Sequence, residues 1–268
     1  MRRRDFILGG TALVGSGAIA SPVRSIFGSK GAIYAKEEHN DYTAADYVQN
    51  GLIAMWDGEW NAGLGIHDDS ATIWKDLVGS RDFIIRDPNN VHFEPNAYSS
   101  DYQTHQSSLY DTVTYGSFTF ADNLALTFEI CGKIRSYIRD TYATIFSTHQ
   151  WNSGWNIPTF YLQPSACSIL RYRFGPSTGS PFEAGRAFSV SCVHSNRANI
   201  KVKINGILVN QIGSAPWSVG KNTDTYIGLN TNYRPFNGLI YNARIYSRRL
   251  TDAEVAHNNK VDKERFGL

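Results

Sequence analysis

Strand-length runs of alternating apolar and polar residues dominate the chain. The clearest is Asn199–Val209, where Ile200, Val202 and Ile204 share one face and Lys201 and Lys203 the other. Asn205-Gly206 interrupts it, the dipeptide favoured in a two-residue hairpin turn because both central positions need positive φ. Leu239, Tyr241, Ala243 and Ile245 alternate in the same way with Ile240, Asn242, Arg244 and Tyr246, which predicts another long strand. Further strand-sized runs cover 124–131, 142–148, 159–162, 168–174 and 187–193, separated by turn residues. In 168–174, Leu170, Tyr172 and Phe174 share a face, and Arg171 and Arg173 read as the solvated one. No stretch between Asp46 and Leu250 sustains a helical period, and no repeat of about 20–50 residues is present. Short strands at this spacing predict an all-β fold of two packed antiparallel sheets. A short C-terminal helix follows, over about 252–265. Thr251-Asp-Ala-Glu254 opens it as a capping box, the threonine hydroxyl accepting an early amide while the glutamate reaches back to the cap.

Composition narrows the function classes. The 268 residues, 42% hydrophobic, suffice for one large sandwich, and 13% aromatics suit strands and stacking surfaces. The N-terminus departs from this pattern. Arg3-Arg4-Asp5-Phe6-Ile7-Leu8 resembles a twin-arginine export signal, followed by a mildly apolar, glycine-rich run to Ala20. Ala18-Ile19-Ala20 supplies the small residues of a cleavage site, which predicts a signal peptide over 1–20 and a chain beginning at Ser21. The run is short of the roughly 20 apolar residues that span a bilayer, so no transmembrane segment is expected in the mature chain. Cleavage removes three arginines and one aspartate from totals of 26 basic and 24 acidic residues, leaving 23 of each. A neutral chain has no electrostatic drive toward nucleic acid. The expected location is therefore periplasmic, cell-surface or extracellular. Residues 21–45 read as a flexible linker and 46–268 as one sandwich domain. Cys131, Cys167 and Cys192 match no zinc-binding spacing and read as buried structural thiols.

Phe236, Gly238, Ile240, Arg244, Ile245, Tyr246, Arg248, Leu250, Thr251 and Glu254 fall on the run F-x-G-x-I-x-x-x-R-I-Y-x-R-x-L-[ST]-x-x-E. That run resembles the closing segment of laminin-G/pentraxin-like domains of the concanavalin A-like lectin/glucanase superfamily. Residues 47–58 with Trp74, Asp76 and Gly79 are similar to the family's first strand and its W-x-D-x-x-G turn. The resemblance implies a jelly-roll sandwich, found both in binding modules and in enzymes, so the site has to be argued separately. The E-x-D-x-x-E motif of the superfamily's glucanases is absent. Asp57 and Glu59, between Trp56 and Trp60, are the nearest substitute for a pair of acting carboxylates, and as turn residues they would instead be solvated. Many relatives bind calcium, for which Asp57, Asp68, Asp69 and Asp76 could supply oxygen ligands. Ser177 sits in a G-x-S-x-G run, but Pro181 follows where a nucleophile elbow needs a helix.

The strongest binding candidate is His149-Gln-Trp-Asn-Ser-Gly-Trp-Asn156, a polar loop carrying Trp151 and Trp155. Indole faces stack on sugar C–H faces while amides such as Asn152 and Asn156 bond hydroxyls. A second aromatic-polar segment, 230–235 with Tyr233, is expected at the same rim. Together these features predict a non-catalytic module that binds a glycan or a cell-surface protein. The alternatives are a glycoside hydrolase or lyase using Asp57 and Glu59, and a structural envelope protein that only packs on partners.

Overall fold

Among the described residues the alternating runs form strands. The computed structural model describes residues 42–102, 114–119, 125–136, 143–147, 159–163, 169–172, 185–195, 198–212, 222–228 and 236–268. In the first part lie β1 (Leu52–Asp57), β2 (Ile73–Trp74), β3 (Phe83–Ile84), β4 (Val91–Glu94) and β5 (Ala97–Asp101). Then come β6 (Thr114–Thr119), β7 (Leu126–Ile134), β8 (Ala143–Ser147), β9 (Thr159–Gln163) and β10 (Ile169–Tyr172). The last are β11 (Ala187–Ser195), β12 (Ala198–Ile204), β13 (Ile207–Ile212), β14 (Asn222–Ile227) and β15 (Asn237–Tyr246), followed by helix α1 (Asp252–Phe266). One sheet has eight strands in the order β13-β12-β11-β7-β15-β5-β4, with β1 also on β15. The other has seven, β10-β9-β8-β14-β6-β3-β2. Every pairing is antiparallel, as expected for this sandwich. The β12–β13 turn has Asn205 at φ 50° and Gly206 at φ 80°, the two positive values that Asn-Gly provides at low cost.

The sheets enclose one apolar layer. Trp74 stacks on Tyr98 with centroids 5.0 Å apart, and Trp56 lies 4.6 Å from Phe83. Ile200 and Val202 enter this layer from β12, with Ile204 packed beside them, while Lys201 and Lys203 point outward. Cys192 lies in the same layer; Cys131 is buried on the opposite face of the sheet, and both are free thiols. Cys167 lies outside the described residues.

Strand β15 is the centre of the larger sheet. One side pairs with β7 throughout; the other pairs with β5 over 237–240 and with β1 over 242–246. The expected strict alternation along it breaks at Tyr241. Ile240 opposes Gly132 and Asn242 opposes Cys131, leaving Tyr241 as an extra residue in a bulge. Ile240, Ala243 and Ile245 therefore face the core, whereas Leu239 and Tyr241 lie on the outer face and Asn242, Arg244 and Tyr246 face α1.

Gly58 sits where β1 ends against the start of β5. A Cβ on it would lie 2.4 Å from the Ala97 Cα, a backbone atom that cannot swing away. We predict that Gly58→Ala costs about 3 kcal/mol, the upper end of overpacking losses, measured by urea denaturation. A loss below about 1 kcal/mol would mean that β1 and β5 separate freely.

The outer face of the larger sheet carries α1. Thr251 and Glu254 form the predicted capping box, and Gly267 closes the helix in the left-handed region. The buried side of α1 holds Val255 and Val261 but also Asn258, Asn259 and Asp262. Polar bonds thus supply much of the docking. Tyr42 and Ala44 pack against this layer too, and a Thr43-capped 3-10 turn spans Ala44–Asp46. These contacts belong to the compact unit Tyr42–Leu268.

Candidate functional site

Of the acid pair singled out in the sequence, Asp57 turns inward and Glu59 stays partly exposed beside it. Asp57 is fully buried where β1 runs under the end of α1. Arg265 Nη1 donates to Asp57 Oδ2 at 2.6 Å and Nη2 to Glu59 Oε2 at 2.9 Å, so one guanidinium holds both carboxylates. The Glu59 amide donates to Asp57 Oδ1 at 3.0 Å. Burial pushes the Asp57 carboxyl up, and Arg265 offsets part of that rise. Neither the solvated turn nor a substrate-facing pair is formed, because Arg265, 208 residues along the chain from Asp57, closes the site.

The calcium candidates also diverge. Asp76 accepts the amides of Met55 (3.0 Å), Val78 (3.0 Å) and Arg81 (3.1 Å), organising the turn after β2. Asp68 accepts from the amide and hydroxyl of Ser70, which hold its carboxyl below the usual range. Asp69 meets His67 at 2.7 Å. Among the described residues no group of three or more His, Cys, Asp or Glu side chains converges as a metal site. These four acids do not fit a calcium ion.

Trp151, Asn152, Trp155 and Asn156 lie outside the described residues, as do Tyr233 and Ser177. Their anchors are described. Ser147 and Thr159 pair where β8 ends and β9 begins. Phe236 donates its amide to the Gly228 carbonyl at 2.7 Å. The expectation that the two segments share a rim falls on residues outside those described.

Two further clusters were not legible in the sequence. On the outer edge, Arg135 joins Glu94 and Asp101, with His92 3.3 Å from Asp101. The residues lie on β4, on β5 and just after β7, and their charges largely satisfy one another. The second cluster is a cleft of about 270 Å³ lined by Val193, Lys201, Arg249, Leu250, Thr251 and Asp252. Strands β11 and β12 supply Val193 and Lys201 as a register pair. Lys203 and Lys201 reach Asp252 at 2.8 and 3.2 Å and hold its carboxyl below the usual range. The alternation in 199–204 showed the two lysines on one face, but nothing local joined them to residue 252.

A laminin-G-type family of the Concanavalin A-like lectin/glucanases superfamily matches residues 107–256, and the chain belongs to that superfamily. Among solved structures, Trypanosoma rangeli sialidase in complex with sialic acid superposes with a TM-score of 0.56 at 14% identity. The match covers 81% of this chain and 33% of the sialidase, so the chain spans about a third of that protein. The binding domain of botulinum neurotoxin serotype D/C gives 0.53 at 15% identity, over 79% of this chain and 52% of that one. Domain 4 of an extracellular arabinanase from Geobacillus stearothermophilus, in complex with arabinotriose, gives 0.47 at 18% identity, over 78% and 98%. At these identities the likeness is one of fold. No curated protein sequence matches the chain.

Proposed function

We propose that the protein is an exported, non-catalytic carbohydrate-binding module. The observation that carries this reading is the fate of Asp57 and Glu59. In a lectin/glucanase sandwich without E-x-D-x-x-E, the one candidate acid pair is held by Arg265, and Asp57 is sealed from solvent. A carboxylate fixed in an ion pair inside the protein cannot trade protons with a substrate. The contact surface we assign to Trp151 and Trp155 on the β8–β9 connection, with Asn152 and Asn156 bonding sugar hydroxyls. Export follows from the twin-arginine-type N-terminus, which supports a periplasmic or surface location.

A glycan-array screen of the protein, with calcium and with chelator, tests the reading. We expect a saturable hit that weakens about fivefold or more on Trp151→Ala or Trp155→Ala, taking the about 1–3 kcal/mol that an aromatic contributes when a nucleic-acid base stacks on it as the scale for a sugar ring. No hit in either buffer would overturn it in favour of a protein-contacting envelope component. Loss of the hit in chelator would add a metal outside the four aspartates above.

A further inference from the structure

We infer that the cleft between β11, β12 and the turn into α1 holds a carboxylate-bearing sugar ring, with Arg249 as its main anchor. This rests on the carbohydrate-binding reading and adds a subsite and a ligand class to it. Small-molecule pockets begin at about 300 Å³, so a cleft of about 270 Å³ takes one ring rather than a chain. Its floor is apolar, from the buried side chains of Val193 and Leu250. An apolar floor suits the C–H face of a sugar and offers nothing to a bare inorganic anion.

The rim carries an unbalanced charge. Lys201 and Arg249 line it with one carboxylate, Asp252, which Lys203 reaches from beside the lining, an excess of two positive charges among these described residues. Lys203 is nearly buried and takes Asp252 at the shorter distance, 2.8 Å. The exposed Arg249 guanidinium makes no hydrogen bond or ion pair among the described residues. Both its neighbours are pinned. Arg248 forks onto Glu254 at 3.0 and 2.5 Å and reaches the Asn50 carbonyl at 2.7 Å. The Leu250 amide donates to Thr127 Oγ1 at 2.9 Å, and that hydroxyl donates to the Arg248 carbonyl. Arg249 thus projects from a fixed backbone, which lowers the ordering cost of binding. A planar carboxylate accepts two parallel N–H bonds from a guanidinium, with Lys201 as a second cation. Thr251 and Asp252 close the cleft at the start of α1, and the Thr251 hydroxyl is already used by the Glu254 amide. A polyphosphate partner is disfavoured by the formal charge of only +2 for the whole chain.

An array of neutral and carboxylate-bearing glycans, followed by calorimetric titration of the best acidic hit, decides the matter. We expect the protein to prefer carboxylate-bearing glycans. Arg249→Ala should weaken the hit about tenfold or more, as for a lost charge-assisted bond, and Lys201→Ala should weaken it less. Both variants keep a wild-type thermal melt. Lys260→Ala/Lys263→Ala, which removes two exposed helix lysines, should leave affinity unchanged. An equal loss in that control would reduce the effect to diffuse charge and overturn the inference. So would equally tight binding of a single-stranded oligonucleotide of matching charge. Binding that is neutral-selective and indifferent to Arg249→Ala overturns the subsite but leaves the carbohydrate reading standing. No binding to any glycan overturns both.

Discussion

Asp262→Ala is expected to lose about 3–5 kcal/mol of folding stability, the range for stranding one partner of a buried ion pair. The Asp262 carboxylate, fully buried under α1, accepts from Arg244 Nη1 and Nη2 at 2.7 Å each. It also accepts from Tyr47 (3.0 Å), Asn242 (3.0 Å) and Ser189 (3.2 Å). Arg244 Nε reaches Glu129 at 3.0 Å, and Asn258 from the helix bonds the same Glu129 oxygen at 2.7 Å. Removing the carboxylate leaves a buried guanidinium with one acid and takes the acceptor from the Tyr47 and Ser189 hydroxyls, while Asn242 keeps its bond to Tyr47. Urea denaturation at neutral pH measures the loss; Asp262→Asn, which keeps the shape and some acceptor capacity, should cost less. A loss below about 1 kcal/mol would mean that water replaces the carboxylate and that α1 is loosely docked. Burial opposes ionisation of Asp262, but Arg244 and the surrounding bonds outweigh it and hold the carboxyl below the usual range. Its contribution is therefore complete above the ordinary Asp pKa of about 3.9 and fades as pH falls through the depressed folded value.

Arg265→Leu is the second large effect, and its signature is the pH dependence. Asp57 then stays buried without its cation. We expect a deficit of about 3 kcal/mol at pH 7. The wild-type Asp57 carboxyl is already raised, by burial first, against the pull of Arg265. Loss of that pull raises it further, so the folded variant binds a proton that the unfolded chain has released. The variant's stability accordingly falls as pH rises from about 3.9 through the raised folded value, and the deficit relative to wild type shrinks on acidification. Denaturation midpoints for both proteins between pH 4 and about pH 8 give the comparison. A pH-independent deficit would assign the loss to packing of the Arg265 stem against Trp60 and Phe266, whose rings lie 5.0 and 4.7 Å from the guanidinium carbon.

The elements that could be read in advance are those whose physics is local. Asn205-Gly206, the Thr251–Glu254 box and the alternation of Ile200, Val202 and Ile204 each depend on residues a few positions apart. The phase of β15 was readable only up to Tyr241, because a bulge is decided by the partner strand. Short strands such as β2 and β3 carry two residues each and leave no periodic trace. Helix α1 was visible through its cap and not through an apolar stripe, since its inner face carries Asn258, Asn259 and Asp262. The partners of Asp57, Asp76 and Asp252 lie on other elements, so composition marked these acids as candidates without showing what holds them. Arg249 was the least visible. It fills a variable position of the closing motif, and only the turn geometry shows that its neighbours are fixed.

The placement of β15 sets the order in which this protein can be made. In chain order it is the last strand, yet it lies between β7 on one side and β1 and β5 on the other. During synthesis the segments that flank it emerge first and have no centre to pair with. The larger sheet can close only once residues 237–246 have left the ribosome, and that closure joins residues far apart in sequence, which makes it slow. Until then the nascent chain exposes three strand edges, those of β1, β5 and β7, on which other chains can add.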